Sequence, residues 1–119
     1  MEFPVASAAV KGALLELDDE LAAPHVIDLE IAQVLRRLVR QEVLSTHAGA
    51  EALNDLALLR LERYPHDGLL QLIWGWRDNL TAYDAAYLAL AESLSATLVT
   101  RDRAFLGLPN PRVEIQVVA

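Results

Sequence analysis

The run TAYDAAYLALAESLS, residues 81 to 95, leaves the chain few architectures. It is rich in alanine and leucine, which have the strongest intrinsic helix preference, and it predicts one long helix. It leads straight into Ala96-Thr97-Leu98-Val99-Thr100, a compact apolar run suited to a buried strand, and Val113 to Val118 is a second such run. Helices alternating with short apolar strands predict an α/β layer structure. In a sheet of that kind, chemistry is expected beyond the carboxyl ends of the strands.

The amino-terminal half supports the same class. Residues 7 to 22, SAAVKGALLELDDELA, carry Val10, Leu14, Leu17 and Leu21 at helical spacing, after which Pro24 interrupts and Val26-Ile27 predicts a brief strand. Residues 29 to 42 return to helical spacing through Ile31, Val34, Leu35, Leu38 and Val39, with arginines on the other side. A further helix is expected over 46 to 62 through Leu53, Leu56 and Leu59, ended by Tyr64-Pro65, and another over 67 to 78.

With 119 residues the expectation is one domain, residues 1 to 119. The chain is 54% apolar and 23% charged, too hydrophobic for disorder and greasy enough to suggest a partner surface. No apolar run approaches the ~18 residues a membrane span needs, and no secretion signal is recognisable, so a cytoplasmic protein without membrane association is expected. Cysteine is absent, which excludes disulfides, thiolate chemistry and cysteine-held metals and leaves oxygen or imidazole as metal ligands. The net charge of -7 argues against nucleic-acid binding by a basic surface alone. Nine of the ten basic residues are arginines, however, some grouped as Arg36/Arg37/Arg40 and Arg101/Arg103. Cations in a carboxylate-rich site could meet phosphate while the arginines hold the backbone.

Three carboxylates stand at predicted element junctions: Glu30 near the start of a helix, Asp84 in the first turn of the 81 to 95 helix, and Asp102 two residues past the Leu98-Val99-Thr100 strand. Parallel strands deliver such junctions to one sheet edge. Oxygen-only clusters suit magnesium or manganese, and such ions can activate water for phosphodiester hydrolysis. Each acid also has an ordinary explanation. Thr81 and Asp84 match a capping box, Glu30 favours a helix dipole, and Asp102 can cap the segment after it.

The phrases around these acids carry more information than the acids do. PHVIDLEIAQVLRRL, RDNLTAYDAAYLALAE and LVTRDRAF together resemble VapC-type PIN domains, from about residue 24 to residue 118. The resemblance implies a three-layer α/β/α domain with a short, mainly parallel sheet. It also implies Glu30, Asp84 and Asp102 as metal-site acids for Mg2+ or Mn2+, with Thr81 as a hydroxyl beside them. Endoribonuclease activity on RNA, a VapB-like antitoxin partner and a homodimer are implied in the same way. Arg77, close to this site in sequence, is the better candidate for a phosphate contact.

The start of the chain departs from that pattern. The family begins with a hydrophobic strand leading into an aspartate, usually in an Asp-Ala-Ser phrase, whereas Val5-Ala6-Ser7 matches only its end and no acid stands between Glu2 and Glu16. Either the first strand and helix are missing and residues 7 to 22 are the family's second helix, or Phe3 to Val5 is a degenerate first strand and a later helix has been shortened. The continuous reading of ELDDELAAPHVIDLEIA favours omission, and Met-Glu-Phe is what a start codon and a common cloning site encode. In both cases a metal-binding carboxylate is lost and impaired catalysis is expected; an inactive remnant that binds antitoxin is the alternative.

Other conspicuous residues read as structural. His25, His47 and His66 lack zinc-ligand spacing, Trp74 and Trp76 suit packing or a partner contact, and neither Gly12 nor Gly107 belongs to a phosphate-cradling loop.

Overall fold

The structure is a computed structural model and describes residues 5–6, 21–58 and 60–118. Its elements in chain order are β1 (Val5–Ala6), β2 (Leu21–Pro24), α1 (Val26–Arg40), α2 (Thr46–Leu58), β3 (Leu61–Tyr64), α3 (Leu70–Gly75), α4 (Ala82–Leu94), β4 (Leu98–Thr100) and β5 (Ile115–Val117). Short 3-10 turns at Asp67–Leu69 and Arg103–Gly107 complete the set.

Among the described residues all strand pairs are parallel, in the order β3-β2-β1-β4-β5. The chain therefore moves outward from β1 through β2 to β3, crosses back to β4, and finishes at β5. Right-handed crossovers made in opposite directions put α1 and α2 on one face and α3 and α4 on the other. The result is the expected three-layer α/β/α arrangement. A switch in winding direction between β1 and β4 opens a crevice outside their carboxyl ends.

The gap that omission of the first strand would leave is filled by the short amino-terminal segment. Val5 pairs with Ala22 on one side and Leu98 on the other, and Ala6 pairs with Val99. Val5–Ala6 is thus a central strand two residues long, while Phe3, the start of the degenerate strand considered above, lies outside the described residues. The helix expected over 7 to 22 falls mostly outside the described residues, and its last two positions belong to β2.

β2 lies one turn earlier than the brief strand expected at Val26-Ile27. Leu21, Ala22, Ala23 and Pro24 are all buried, and Pro24, which has no N–H to donate, is the last strand residue. Ile27 and Ile31 then point one helical stripe into the core, so Val26-Ile27 open α1 instead. β3 replaces the end of the helix expected to reach residue 62. Leu61 is buried whereas Glu62 is exposed, and the charged Glu62-Arg63 pair suits its edge position. Leu59 falls outside the described residues. In place of one helix over 67 to 78, a 3-10 turn leads into the six-residue α3.

The core is built around α4, whose seven residues Ala85 to Ala91 are all buried. It packs on β1, β2 and β4, while α3 covers its other side. An apolar surface on all sides is what a helix enclosed in this way requires. Leu88 and Leu98, both fully buried, are central members of this core with Phe105.

Candidate metal and nuclease site

Because α4 runs antiparallel to the strand it precedes, its amino terminus lies at the carboxyl edge of the sheet. α1 starts at that same edge, two residues after the end of β2, and Asp102 follows β4 there. Glu30, Asp84 and Asp102 thus arrive at one end of the sheet from three elements. Glu30 and Asp84 are half-buried, while Asp102 and Thr81 are exposed.

The three acids interact electrostatically in sequence. Burial is the main cause that raises the Glu30 carboxyl above its ordinary range; the hydrogen bond from Tyr87 opposes this, and the charge of Asp84 adds to it. Asp84 is also raised, first by burial and then by the charge of Asp102, with hydrogen bonding to Thr81 acting the other way. Asp84 is therefore the middle member. Like charges gathered in this way are what a cation would neutralise.

The capping expectations hold alongside this grouping. Thr81 is the N-cap of α4, its Oγ1 accepting from the Asp84 backbone N–H at 3.2 Å. Asp102 caps the 103–107 turn, Oδ1 accepting from the Ala104 N–H at 2.9 Å, while its own N–H donates to Thr100 Oγ1 at 3.0 Å. Arg77 makes its described contacts with Trp74. Its guanidinium lies 4.8 Å from the Trp74 ring centroid and donates to the Trp74 carbonyl at 3.1 Å.

Two further interactions escape a reading by junctions. The Tyr87 hydroxyl donates to Glu30 Oε1 at 2.7 Å, and burial, followed by that bond and the neighbouring acids, pushes the phenol far above its usual range. Its signal was its place three residues after Asp84, on the same helix face. Asp28, in the first turn of α1, accepts a two-point contact from Arg63 Nε at 2.7 Å and Nη2 at 2.8 Å. That pair joins residues 35 apart and has no local signature.

Among the described residues no three acids or histidines close into a group that could hold a metal ion by themselves. The donor set nevertheless fits magnesium, which keeps several waters and is commonly held by only one or two carboxylates together with substrate phosphate. The carboxylate oxygens of Glu30 and Asp84, half-buried and carrying like charges that interact, match that requirement without forming a closed cage. His25, His47 and His66 are all exposed, with His47 paired to Glu51 at 2.9 Å.

Comparison with known proteins agrees with the fold. The PIN domain family profile matches residues 4–110. The VapC ribonuclease Mb0985 of Mycobacterium bovis is 48% identical over 100 residues, covering 84% of this chain and 79% of that protein. Ribonuclease VapC1 of Mycobacterium tuberculosis is 39% identical over 114 residues, covering 95% and 85% respectively. Among solved structures, PAE2754 from Pyrobaculum aerophilum superposes with a TM-score of 0.72 at 26% identity, covering 97% of this chain and 83% of that one. The chain belongs to the PIN-domain family, and its relatives at this level of identity are VapC ribonucleases.

Proposed function

We propose that this chain is the scaffold of a toxin-type endoribonuclease that hydrolyses RNA phosphodiester bonds with Mg2+ or Mn2+, impaired by loss of the acid on its first strand. The observation that supports the reading is the delivery of Glu30, Asp84 and Asp102 to the carboxyl edge by α1, α4 and the segment after β4, with the charge of Asp84 acting on Glu30 and that of Asp102 on Asp84. A bound cation would supply polarisation of water and phosphate. Glu30 and Asp84 would hold it, Asp102 would complete the exposed side, and Thr81 would keep the Asp84 carboxylate oriented. Arg77, stacked on the exposed Trp74, is the proposed phosphate contact.

Impairment follows from Val5, which stands where the family's Asp-Ala-Ser phrase has its aspartate. An apolar side chain there offers the cation no ligand. The Val5→Asp variant should therefore cleave single-stranded RNA in magnesium at least ~10-fold faster than the parent chain, the lower end of what losing a supporting metal contact costs. Neutralising Asp84 and Asp102 together, as Asp84→Asn and Asp102→Asn, should abolish the gain. Cleavage that survives both changes would sink the mechanism.

A second reading, an inactive PIN protein that binds a VapB-like antitoxin, is favoured by the missing acid and by a groove of about 460 Å³ between α1 and α2. Its floor is apolar, and Arg36 and Arg40 stand beside it. Binding of antitoxin together with a silent cleavage assay in both the parent and the Val5→Asp chain would select this reading. Homodimer formation and a cytoplasmic site of action belong to both readings. No helix among the described residues is long and apolar enough to cross a membrane.

A further inference from the structure

We propose that Tyr87 is a positioning residue, whose buried hydroxyl holds one oxygen of Glu30 so that the other faces the cation. The proposal rests on the ribonuclease reading above and adds a residue to it. Tyr87 is only 1% exposed, yet its hydroxyl reaches across 57 residues of sequence to donate to Glu30 Oε1 at 2.7 Å. Among the described residues, this is the one hydrogen bond that the Glu30 carboxylate accepts, which leaves Oε2 for a ligand.

The placement is specific. Tyr87 lies one turn after Asp84 on α4, so the residue that orients Glu30 sits on the same helix face as the acid that repels it. α1 and α4 cover opposite faces of the sheet, and the hydroxyl joins them across its carboxyl edge. A second tie acts on the same helix turn, since Arg63 clamps Asp28 two residues before Glu30. The start of α1 is thereby anchored from β3 and from α4 at once.

Packing alone does not account for a tyrosine here. Phenylalanine would fill the same space without the cost of burying a hydroxyl, and every other buried residue of α4 is alanine or leucine. A short bond from a neutral donor to a carboxylate is among the stronger hydrogen bonds. Fixing a ligand before the metal arrives removes part of the ordering cost of binding, and partners that orient metal ligands typically contribute 10–100-fold in affinity.

The test is a double-mutant cycle of Tyr87→Phe and Glu30→Gln, built in both the parent and the Val5→Asp chain, with Asp84→Asn as reference. Mn2+ binding is read by water-proton relaxation, and folding by circular dichroism and thermal melting. Tyr87→Phe should weaken Mn2+ binding roughly 10–100-fold, and the double variant should bind no more weakly than Glu30→Gln alone. Unchanged binding in Tyr87→Phe, while Glu30→Gln loses it, overturns the positioning role and leaves the ribonuclease reading intact. Binding that is absent, or indifferent to both Glu30→Gln and Asp84→Asn, overturns the metal site and this proposal with it. If Tyr87→Phe does not fold, glutamate-labelled parent chain decides by NMR. Mg2+ should shift the Glu30 carboxyl signal while the hydrogen-bonded Tyr87 hydroxyl proton persists, and loss of that proton signal on metal addition would refute the role.

Discussion

At the residue scale, Glu30 shows how an acid of the proposed site can work against its own fold. Its carboxyl is raised first by burial, against the pull of the Tyr87 hydrogen bond, and then by the charge of Asp84. An acid raised in the native state binds its proton more tightly folded than unfolded. Its ionised form therefore opposes folding at neutral pH, and the penalty fades as pH falls through the raised value into the ordinary carboxylate range. In metal-free protein, Glu30→Gln should raise the melting midpoint by a few degrees near neutral pH, with the difference shrinking on acidification. A variant less stable than the parent at neutral pH would show that the Tyr87 bond, and not burial, dominates. Asp84 carries the same conflict, but there Asn would also remove favourable charge at the start of α4, so Glu30 is the cleaner test.

At the scale of elements, α4 connects the core to the site, and its two ends determine how well it does so. Burial of Leu88 or Leu90 contributes about 1.5–3 kcal/mol each, which holds the helix on the sheet but does not set where it begins. The Thr81 cap does that, and so places Asp84 at the edge. At the other end Ser95 adopts a left-handed conformation with φ 52°, and Ala96 N–H closes onto the Ala91 carbonyl at 2.9 Å as the chain turns into β4. Glycine suits such a position without a Cβ penalty. Thr81→Ala should thus cost ~1 kcal/mol, and Ser95→Gly should gain on the order of 1 kcal/mol. Urea denaturation reads both, and changes of the same sign would contradict the assignment of the caps.

At the scale of the whole molecule, a strongly acidic chain carries two arginines at one groove. Arg36 and Arg40 stand beside the groove between α1 and α2, where Gly49 lets the helices approach: a Cβ there would lie 3.0 Å from Val39 Cγ2. An apolar floor with a basic margin fits an amphipathic, acidic segment, the chemistry expected of an antitoxin under the second reading proposed above. Charge reversal through Arg36→Glu with Arg40→Glu should weaken antitoxin capture at least ~10-fold, as like charges brought together at an interface cost several kcal/mol. The melting midpoint should barely move, since both side chains are exposed. Capture unaffected by the reversal would place the antitoxin elsewhere. Sedimentation of the same proteins reads the expected homodimer, and a constant monomer mass over a wide concentration range would count against it.

How much of this was legible beforehand depended on where the determining forces act. Local propensity and periodicity were enough for α4, for the strands at 98–100 and 115–117, and for the caps at Thr81 and Asp102, because the groups involved lie within a few residues of one another. The same local rules erred around Pro24, where the strand precedes the proline, and at LERY, where a short edge strand was absorbed into a helix. Whether Val5–Ala6 forms a strand could not be read from two residues, since their pairing is with Ala22, Leu98 and Val99. The clamp of Asp28 by Arg63 and the bond from Tyr87 to Glu30 likewise exist only once distant elements meet. The amino-acid sequence alone determined which acids were available and that Val5 is not one of them. The tertiary structure decided which elements bring their acids to one sheet edge and which hydroxyl holds Glu30, because hydrogen bonds and Coulomb forces depend on separation in space and not along the chain.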